Sequence, residues 1–176
     1  SLFSIIIPKS VTSIGSSAFS GCSGLTAITI PNSVTSIGSN AFEGCKVLEA
    51  IELPVGLTSL EAHTFRNCAE ITDIDLPISV MTIKEEAFAG CTKLKSFTVN
   101  TYRTGELSCD KNVFEGVDLS KATLHVMQGT KAFFDTAEQW KEFGQIIQTR
   151  DVSGGQFTAL ETGNTYYLYH VGTGRY

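Results

Sequence analysis

Apolar residues recur along the sequence with a fixed period of 23 residues, and each period opens with three of them. The end of this opening segment alternates between inward and outward positions, which predicts a half-buried strand. The apolar triplets are Leu2, Ile5 and Ile7; Leu25, Ile28 and Ile30; Leu48, Ile51 and Leu53; Ile71, Ile74 and Leu76; and Leu94, Phe97 and Val99. Prolines at positions 8, 31, 54 and 77 directly follow the first four triplets and end the strand, because proline has no N–H group to donate.

Two further segments complete each period. The first is extended and holds two inward apolar residues: Val11 and Ile14; Val34 and Ile37; Leu57 and Leu60; Val80 and Ile83. The second places a small residue beside Phe19, Phe42, Phe65 or Phe88 and predicts one short helical turn whose ring fills the interior. Cysteines at 22, 45, 68 and 91 end these segments, and the position before each is Gly21, Gly44, Asn67 or Gly90. This choice of Gly or Asn predicts a positive φ there.

A repeat of this length predicts a stack of coils, since one coil cannot bury its own apolar face. Over residues 1–99 the pattern is Leu-x-x-Ile-x-Ile-Pro, Val-Thr-x-Ile-Gly and Ala-Phe-x-Gly-Cys. It resembles the BspA-type (Treponema-type) leucine-rich repeat of bacterial surface proteins. The resemblance implies a right-handed leucine-rich repeat solenoid that is mainly β, with a parallel concave sheet, short helical turns and a C-terminal helical cap. It also implies adhesion or host-protein binding, and it brings no catalytic residues.

The pattern loosens after residue 99. Phe114 comes 26 residues after the preceding repeat phenylalanine, and Cys109 stands where earlier units have a core aliphatic residue. Residues 100–150 are therefore predicted to form a degenerate last unit and a C-terminal cap, with a closing strand over 122–126 and Thr130 as a helix N-cap. The residues that resemble the cap of BspA-type arrays are Leu124, Val126, Gly129, Thr130, Trp140 and Phe143.

The two ends of the chain carry further expectations. Residues 151–176 are predicted to be a linker and a β tail, either added to the cap or the stump of a following module. The chain begins inside a repeat, so upstream repeats or a cap are expected before Ser1.

Charge and composition exclude several classes of function. Thirteen Lys and Arg against eighteen Asp and Glu give a net charge of −5, and the basic residues are scattered singly. This argues against nucleic acid as a partner and against a polybasic membrane patch. No apolar run is long enough to predict membrane insertion in this segment, and no signal sequence is visible in it.

Cysteine and histidine placement argues against metal, cofactor and enzyme chemistry. The cysteine ladder forms a row without nearby histidine, so buried reduced thiols are favoured over disulfides or zinc. His63, His125 and His170 lie in different parts of the chain, and no nucleophile or carboxylate recurs near them at catalytic spacing. The sequence therefore predicts no catalytic residues, no metal and no cofactor.

One candidate binding site remains, on the outward positions of two successive strands. Glu49, Glu52, Asp73 and Asp75 would form one acidic patch on the concave sheet. Four close carboxylates repel each other, so the patch suits a basic partner or a divalent cation. The alternative is a solvated acidic stripe that prevents association between sheet edges.

Two hypotheses about function follow. The first is a non-catalytic extracellular interaction or adhesion module that binds a macromolecular partner through the solenoid face. The partner would be a protein or glycan on a host or neighbouring cell. The module would be a monomer, located outside the cell or on the bacterial cell surface. The second is a spacer or carbohydrate-binding accessory region of a larger secreted enzyme. The aromatic tail residues Tyr166, Tyr167 and Tyr169 are the feature that favours glycan contact.

Overall fold

Two strands per repeat generate the architecture, a parallel β-solenoid of about 6 turns. The structure is a computed structural model that describes residues 3–149. In each coil the apolar triplet gives a front strand, and the segment after the proline gives a rear strand. The front strands are β1 (Ser4–Ile6), β3 (Ala27–Thr29), β5 (Ala50–Ile51), β7 (Asp73–Leu76), β9 (Ser96–Val99), β11 (Thr123–Met127) and β12 (Gln145–Thr149). The rear strands are β2 (Ser13–Ile14), β4 (Ser36–Ile37), β6 (Ser59–Leu60), β8 (Thr82–Ile83) and β10 (Ser108–Cys109).

We number the coils by their front strands, so that β1 and β2 belong to coil 1 and β9 and β10 to coil 5. Front strands pair in parallel and in the register of the repeat, with Ile28 opposite Ile51 and Ile74 opposite Phe97. The front ladder consists of two sheets, β1-β3-β5 and β7-β9-β11-β12. The rear ladder also consists of two sheets, β2-β4 and β6-β8-β10. The parallel solenoid predicted from the repeat is confirmed.

The third segment of each coil forms the turn edge of the solenoid, and it is a pair of tight turns rather than a helix. In coil 1 the Ala18 amide donates to the Gly15 carbonyl at 3.2 Å and the Ser20 amide to the Ser17 carbonyl at 3.1 Å. Ser17 itself has φ of 58°, which interrupts any helical geometry. The short helical turn expected from the sequence is therefore wrong in detail, because a left-handed residue lies in the middle of the segment.

Positive φ angles on the turn edge follow two positions of the repeat. The position before each cysteine has the predicted positive φ, from 60° at Asn67 to 73° at Gly44 and Gly90. A second position, four residues earlier, was not predicted from the sequence. It holds Ser17, Asn40, His63, Glu86 and Asn112, all with φ between 52° and 60°. Asn and His adopt positive φ more often than other non-glycine residues, but Ser17 and Glu86 carry no such preference, so residue type did not mark the position in every coil.

Backbone hydrogen bonds and stacked rings join the coils at the turn edge. Phe19 donates its amide to the Ala41 carbonyl at 2.8 Å, and Phe42 and Phe65 repeat this bond to the next coil. The rings of successive coils stack with centroids 5.3, 5.4 and 5.5 Å apart from Phe19 through Phe88. Stacked aromatic pairs of this kind contribute about 0.5–1.5 kcal/mol beyond the burial of their area.

The last repeat and the cap bury the end of this stack. Phe97, Phe114, Trp140 and Phe143 pack with one another at centroid distances of 5.3 to 6.3 Å. The helical content of the described chain is confined to this end: α1 (Lys131–Phe134) and 3-10 turns at Leu119–Lys121 and Trp140–Glu142. The cap is thus only partly helical, because much of it is the strand pair β11 and β12.

Three details of the cap differ from the sequence-based expectations. The closing strand is β11, shifted by one residue from the predicted range, and a further parallel strand, β12, covers it. The Thr130 hydroxyl donates to the Met127 carbonyl at 2.7 Å and does not cap α1. The Gln139 side chain bonds both the Val113 amide, at 2.8 Å, and the Asp110 carbonyl, at 2.7 Å, and so closes the last turn. The predicted β tail at 151–176 lies outside the described residues.

Truncation of a stacked phenylalanine should be costly in the middle of the array and cheaper at its N-terminal coil. Phe65 is fully buried between two rings, so Phe65→Ala should lower the free energy of unfolding by about 3–5 kcal/mol. Phe19→Ala is the matched control, because Phe19 is half-buried and stacks on one ring only, and it should cost less. The sequence alone predicts a smaller loss of stability for Phe114→Ala, in the degenerate unit, than for Phe65→Ala. In the structure, however, Phe114 is 5% exposed and contacts four rings. We now expect its cost to approach that of Phe65→Ala in urea unfolding.

Candidate binding surface

The outward side chains of the front strands form one continuous surface, which we call the front face. In β3 and β7 the inward residues are buried and the outward residues are exposed, as strand alternation requires. Pairing of Ala27 with Ala50, and of Asp73 with Ser96, fixes which outward residues occupy equivalent positions in successive coils. The middle positions carry short side chains in most coils: Ser4, Ala27, Ala50, Ser96 and Thr123. Polar side chains flank them in coils 2, 3 and 5, whereas the apolar residues Phe3 and Ile6 flank Ser4 in coil 1.

The acidic patch, defined as Glu49, Glu52, Asp73 and Asp75, lies at the centre of the front face. All four residues are exposed. By the repeat register Glu52 is equivalent to Asp75, and neighbouring strands lie about 4.8 Å apart, so the two side chains face solvent side by side. The Thr72 hydroxyl donates to Asp73 Oδ2 at 2.6 Å, within one coil. The structure therefore places all four predicted residues on the same face and on adjacent strands.

The ion pairs of the described chain lie outside this patch. At the turn edge, Arg66 Nε lies 3.1 Å from Glu86 Oε2 and Arg66 Nη1 lies 3.7 Å from Glu43 Oε1. Between the turn edge and the front strands, Lys93 Nζ lies 2.7 Å from Glu70 Oε2. In residues 3–149 no ion pair joins a carboxylate of the acidic patch. Within residues 3–149 its negative charge therefore has no ion-pair partner.

The patch does not have the geometry of a metal site. Within residues 3–149, no three or more His, Cys, Asp or Glu side chains converge to hold a metal ion. The carboxylates of the patch lie on one sheet and point away from it side by side, whereas a calcium ion needs ligands that converge on it. Of the two partners considered from the sequence, a basic macromolecule fits the arrangement better.

A groove adjoins the patch where the front strands end. It encloses about 440 Å³ between Lys9 and Glu52, and Ile30, Pro31 and Leu53 form its apolar floor. Glu52 therefore borders both the patch and the groove. No sequence signal marked the groove, because it is created by the turns of three successive coils.

The cysteine ladder has a structural role that its spacing alone did not reveal. The thiols of Cys45, Cys68 and Cys91 donate to the carbonyl oxygen of the phenylalanine one coil earlier, at 3.2, 3.1 and 3.3 Å. All five cysteines are free thiols, as expected from their row-like arrangement. In coil 5 Val117 replaces the cysteine and cannot donate, so the ladder stops there.

Burial keeps the thiols of Cys91 and Cys109 protonated and unreactive. It raises the pKa of the Cys91 thiol to about 12. Burial also raises the pKa of Cys109 to about 12, with a further contribution from the neighbouring Asp110 carboxylate. Because the nucleophilic form of cysteine is the thiolate, neither residue has the reactivity of a catalytic cysteine at neutral pH.

The two histidines in the described chain are separated, as the sequence suggested. His63 lies on the turn edge with φ of 59°, and its Nε2 is 3.8 Å from Glu86 Oε2. His125 lies on the front strand β11, next to Thr98 of β9. His170 lies outside the described residues. No helix within residues 3–149 is long and apolar enough to cross a membrane.

Comparison with solved structures identifies the class of protein. A leucine-rich repeat protein of T. pallidum (TpLRR) superposes with a TM-score of 0.67 at 22% identity, over 85% of this chain and 71% of that one. A leucine-rich cell surface protein of Faecalibacterium prausnitzii gives 0.56 at 27% identity, over 85% and 33%. The pneumococcal vaccine antigen PcpA gives 0.61 at 20% identity, over 84% and 42%. The fold is that of a leucine-rich repeat solenoid, and the chain spans less than half the length of the latter two proteins.

The sequence profile of the repeats gives the family. The BspA type leucine-rich repeat region matches residues 1–120 in 6 copies. The chain therefore belongs to the BspA-type leucine-rich repeat family, and the matched range extends beyond residue 99 into the unit that is degenerate by sequence. No curated protein matches the sequence.

Alkaline pH should destabilise the protein through the buried thiols. The Cys91 pKa is raised above its ordinary value of 9.0, so the folded state holds the proton more tightly than the unfolded state. The resulting stability is complete below about pH 9 and is lost as pH rises toward about 12. We expect the free energy of unfolding to fall by up to about 1.36 kcal/mol per pH unit in this window for this group.

Cys91→Ser is the matched control for this effect. Serine can donate to the Phe65 carbonyl as the thiol does, but it does not titrate in this range. Urea unfolding between pH 8 and pH 11 should therefore show a shallower pH dependence for the variant. Parallel pH profiles for the two proteins would contradict the assignment.

Proposed function

We propose that this chain is a non-enzymatic recognition module that binds a basic region of another macromolecule through the front face of the solenoid. The observation that carries the proposal is the acidic patch, whose exposed carboxylates have no ion-pair partner in the described chain while Glu43, Glu70 and Glu86 do. Uncompensated charge on a rigid surface attracts a partner of opposite charge and orients it during encounter.

The setting of this activity is proposed from the family and from two structural neighbours. The repeats of this family resemble those of bacterial surface proteins, and the F. prausnitzii neighbour carries the description cell surface protein. PcpA is described as a vaccine antigen. We infer a location outside the cell or on the bacterial surface, with a protein on a host or neighbouring cell as the partner and a monomeric module as the binding unit.

The repetitive front face favours binding over catalysis. Within each of its two sheets the strands are paired through their backbones, and the coil register sets the spacing of the outward side chains. Such a surface can present several charged contacts to one partner at once. Glycan binding through Tyr166, Tyr167 and Tyr169 stays a prediction, since these residues lie outside the described residues.

Charge reversal tests the proposal directly. Binding of the chain to a panel of host extracellular-matrix proteins and to a glycan array would be measured in parallel. For a protein that binds, Glu52→Lys with Asp75→Lys should weaken binding at least tenfold, which is about 1.4 kcal/mol. The melting temperature should not fall, because the substitutions remove repulsion between exposed like charges.

A matched control separates the effect of the patch on binding from the effect of overall net charge. Glu115→Lys with Glu138→Lys makes the same change in net charge at exposed positions away from the front face. This variant should bind like the unmodified chain, and binding should weaken as salt increases. Equal losses in both variants, or no loss in either, would contradict a front-face site. Binding on the glycan array alone would favour the carbohydrate-binding alternative.

A further inference from the structure

Coil 3 differs from the other coils in how it is joined to its neighbours. The front ladder is interrupted between β5 and β7, and the rear ladder is interrupted between β4 and β6. Coil 3 is therefore paired with coil 2 at the front and with coil 4 at the rear. Both interruptions border the same coil, in the middle of an otherwise regular array.

The front interruption can be followed bond by bond. Where coils pair, the amide one residue before the front strand donates to the equivalent residue of the preceding coil. Thr26 donates to the Phe3 carbonyl at 2.9 Å, Glu49 to the Thr26 carbonyl at 3.3 Å and Lys95 to the Thr72 carbonyl at 2.8 Å. The equivalent bond, from Thr72 to Glu49, is not made between these described residues.

Electrostatic repulsion explains the front interruption. The two strands that fail to pair are those that carry the acidic patch, with Glu52 in coil 3 beside Asp75 in coil 4. Like charges at opposed positions of neighbouring strands destabilise pairing. No ion pair in the described chain neutralises them.

The rear interruption also lacks a backbone hydrogen bond between successive coils. Thr35 donates to the Thr12 carbonyl at 2.9 Å, and Met81 donates to Thr58 at 3.0 Å. The equivalent bond from the Thr58 amide to the Thr35 carbonyl is not made between these described residues.

One residue difference coincides with the rear interruption. Ser33 and Ser79 occupy one repeat position, and their hydroxyls make the equivalent bond to the preceding coil, at 2.8 Å to the Val11 carbonyl and 2.6 Å to the Leu57 carbonyl. Coil 3 has Gly56 at this position and has no hydroxyl to donate.

The turn edge stays continuous across both interruptions. Phe42 donates to the Thr64 carbonyl at 2.9 Å and Phe65 donates to the Ala87 carbonyl at 2.8 Å. The stacked rings and the thiol of Cys68, bonded to the Phe42 carbonyl, also bridge coils 2 and 3. Separation of the coils at the front or the rear would therefore take place about the turn edge as an axis.

We propose that coil 3 is a joint between two hydrogen-bonded blocks of the solenoid, and that a basic partner on the acidic patch closes the joint at the front. The first statement concerns the free protein, whereas the second rests on the proposed function. A cationic group between Glu52 and Asp75 removes the repulsion that separates β5 from β7. The front face is then flexible when empty and stiff when occupied.

Amide hydrogen exchange tests the joint in the free protein. In the full chain, the amides of Thr58 and Thr72 should exchange at least tenfold faster than those of Met81 and Lys95, which hold the equivalent positions one coil later. Equal rates within each pair would overturn the joint, whatever the binding panel shows. The test of the joint is therefore independent of the proposed function.

Two variants test the causes of the interruptions separately. Gly56→Ser should slow exchange at Thr58, whereas Gly56→Ala adds the same Cβ without a hydroxyl and should not. The added Cβ would lie 3.2 Å from the Thr35 Cγ2 atom, on an exposed side chain that can shift. Glu52→Gln with Asp75→Asn should slow exchange at Thr72 and leave Thr58 unchanged. If neither variant slowed exchange at its own position, the proposed causes would be wrong.

A tetralysine peptide tests closure by a basic partner. It should slow exchange at Thr72 in the unmodified chain at least threefold, with a smaller effect in the Glu52→Gln, Asp75→Asn variant. Fast exchange at Thr72 that tetralysine does not change, although it binds the chain by calorimetry, would overturn closure and leave the binding site intact. Failure of tetralysine to bind would count against the proposed function and against closure, but not against the joint.

Discussion

The coil-to-coil contact at the turn edge is the interaction on which the rest of this solenoid depends. Each repeat sends backbone amides to the next coil from positions such as Phe19, and its ring stacks 5.3 Å from the next ring. A thiol then returns a hydrogen bond to the preceding coil. These contacts fix the spacing and the orientation of every coil. The short front and rear strands, of two to five residues, are aligned by them.

Because the turn edge makes the contacts between coils, the front surface is free to vary in sequence. The turn edge keeps its phenylalanine in every coil, and several of its charged residues are engaged in ion pairs, such as that between Arg66 and Glu86. The outward front positions make no contact that the fold requires, so Thr29, Glu52 and Asp75 can stand at equivalent positions without altering the core. Such freedom allows a front face to carry charge for a partner while the array keeps its architecture.

Charge on the front face and continuity of the sheet are coupled through coil 3. The strands that carry the acidic patch are the ones that do not pair, although the turn edge and the aromatic stack run through them without a break. The stability of the array is therefore unequal along its length, as expected for a repeat protein whose interfaces contribute separately. The region offered to a partner is also the region least constrained by backbone pairing.

The sequence alone determined the repeat, the inward residues of each coil, the left-handed glycine position and the membership of the acidic patch. These features depend on spacing, and a period of 23 residues converts spacing into position in space. Only the tertiary structure decided what depends on contact between coils. The second left-handed position at residues such as His63 and Glu86 has no characteristic residue type. The thiol bonds, the side chain of Gln139 and the strand β12 link segments far apart in sequence, whose distances no local pattern specifies. The loss of pairing around coil 3 is of the same kind, because it concerns hydrogen bonds between neighbouring coils that no local pattern specifies.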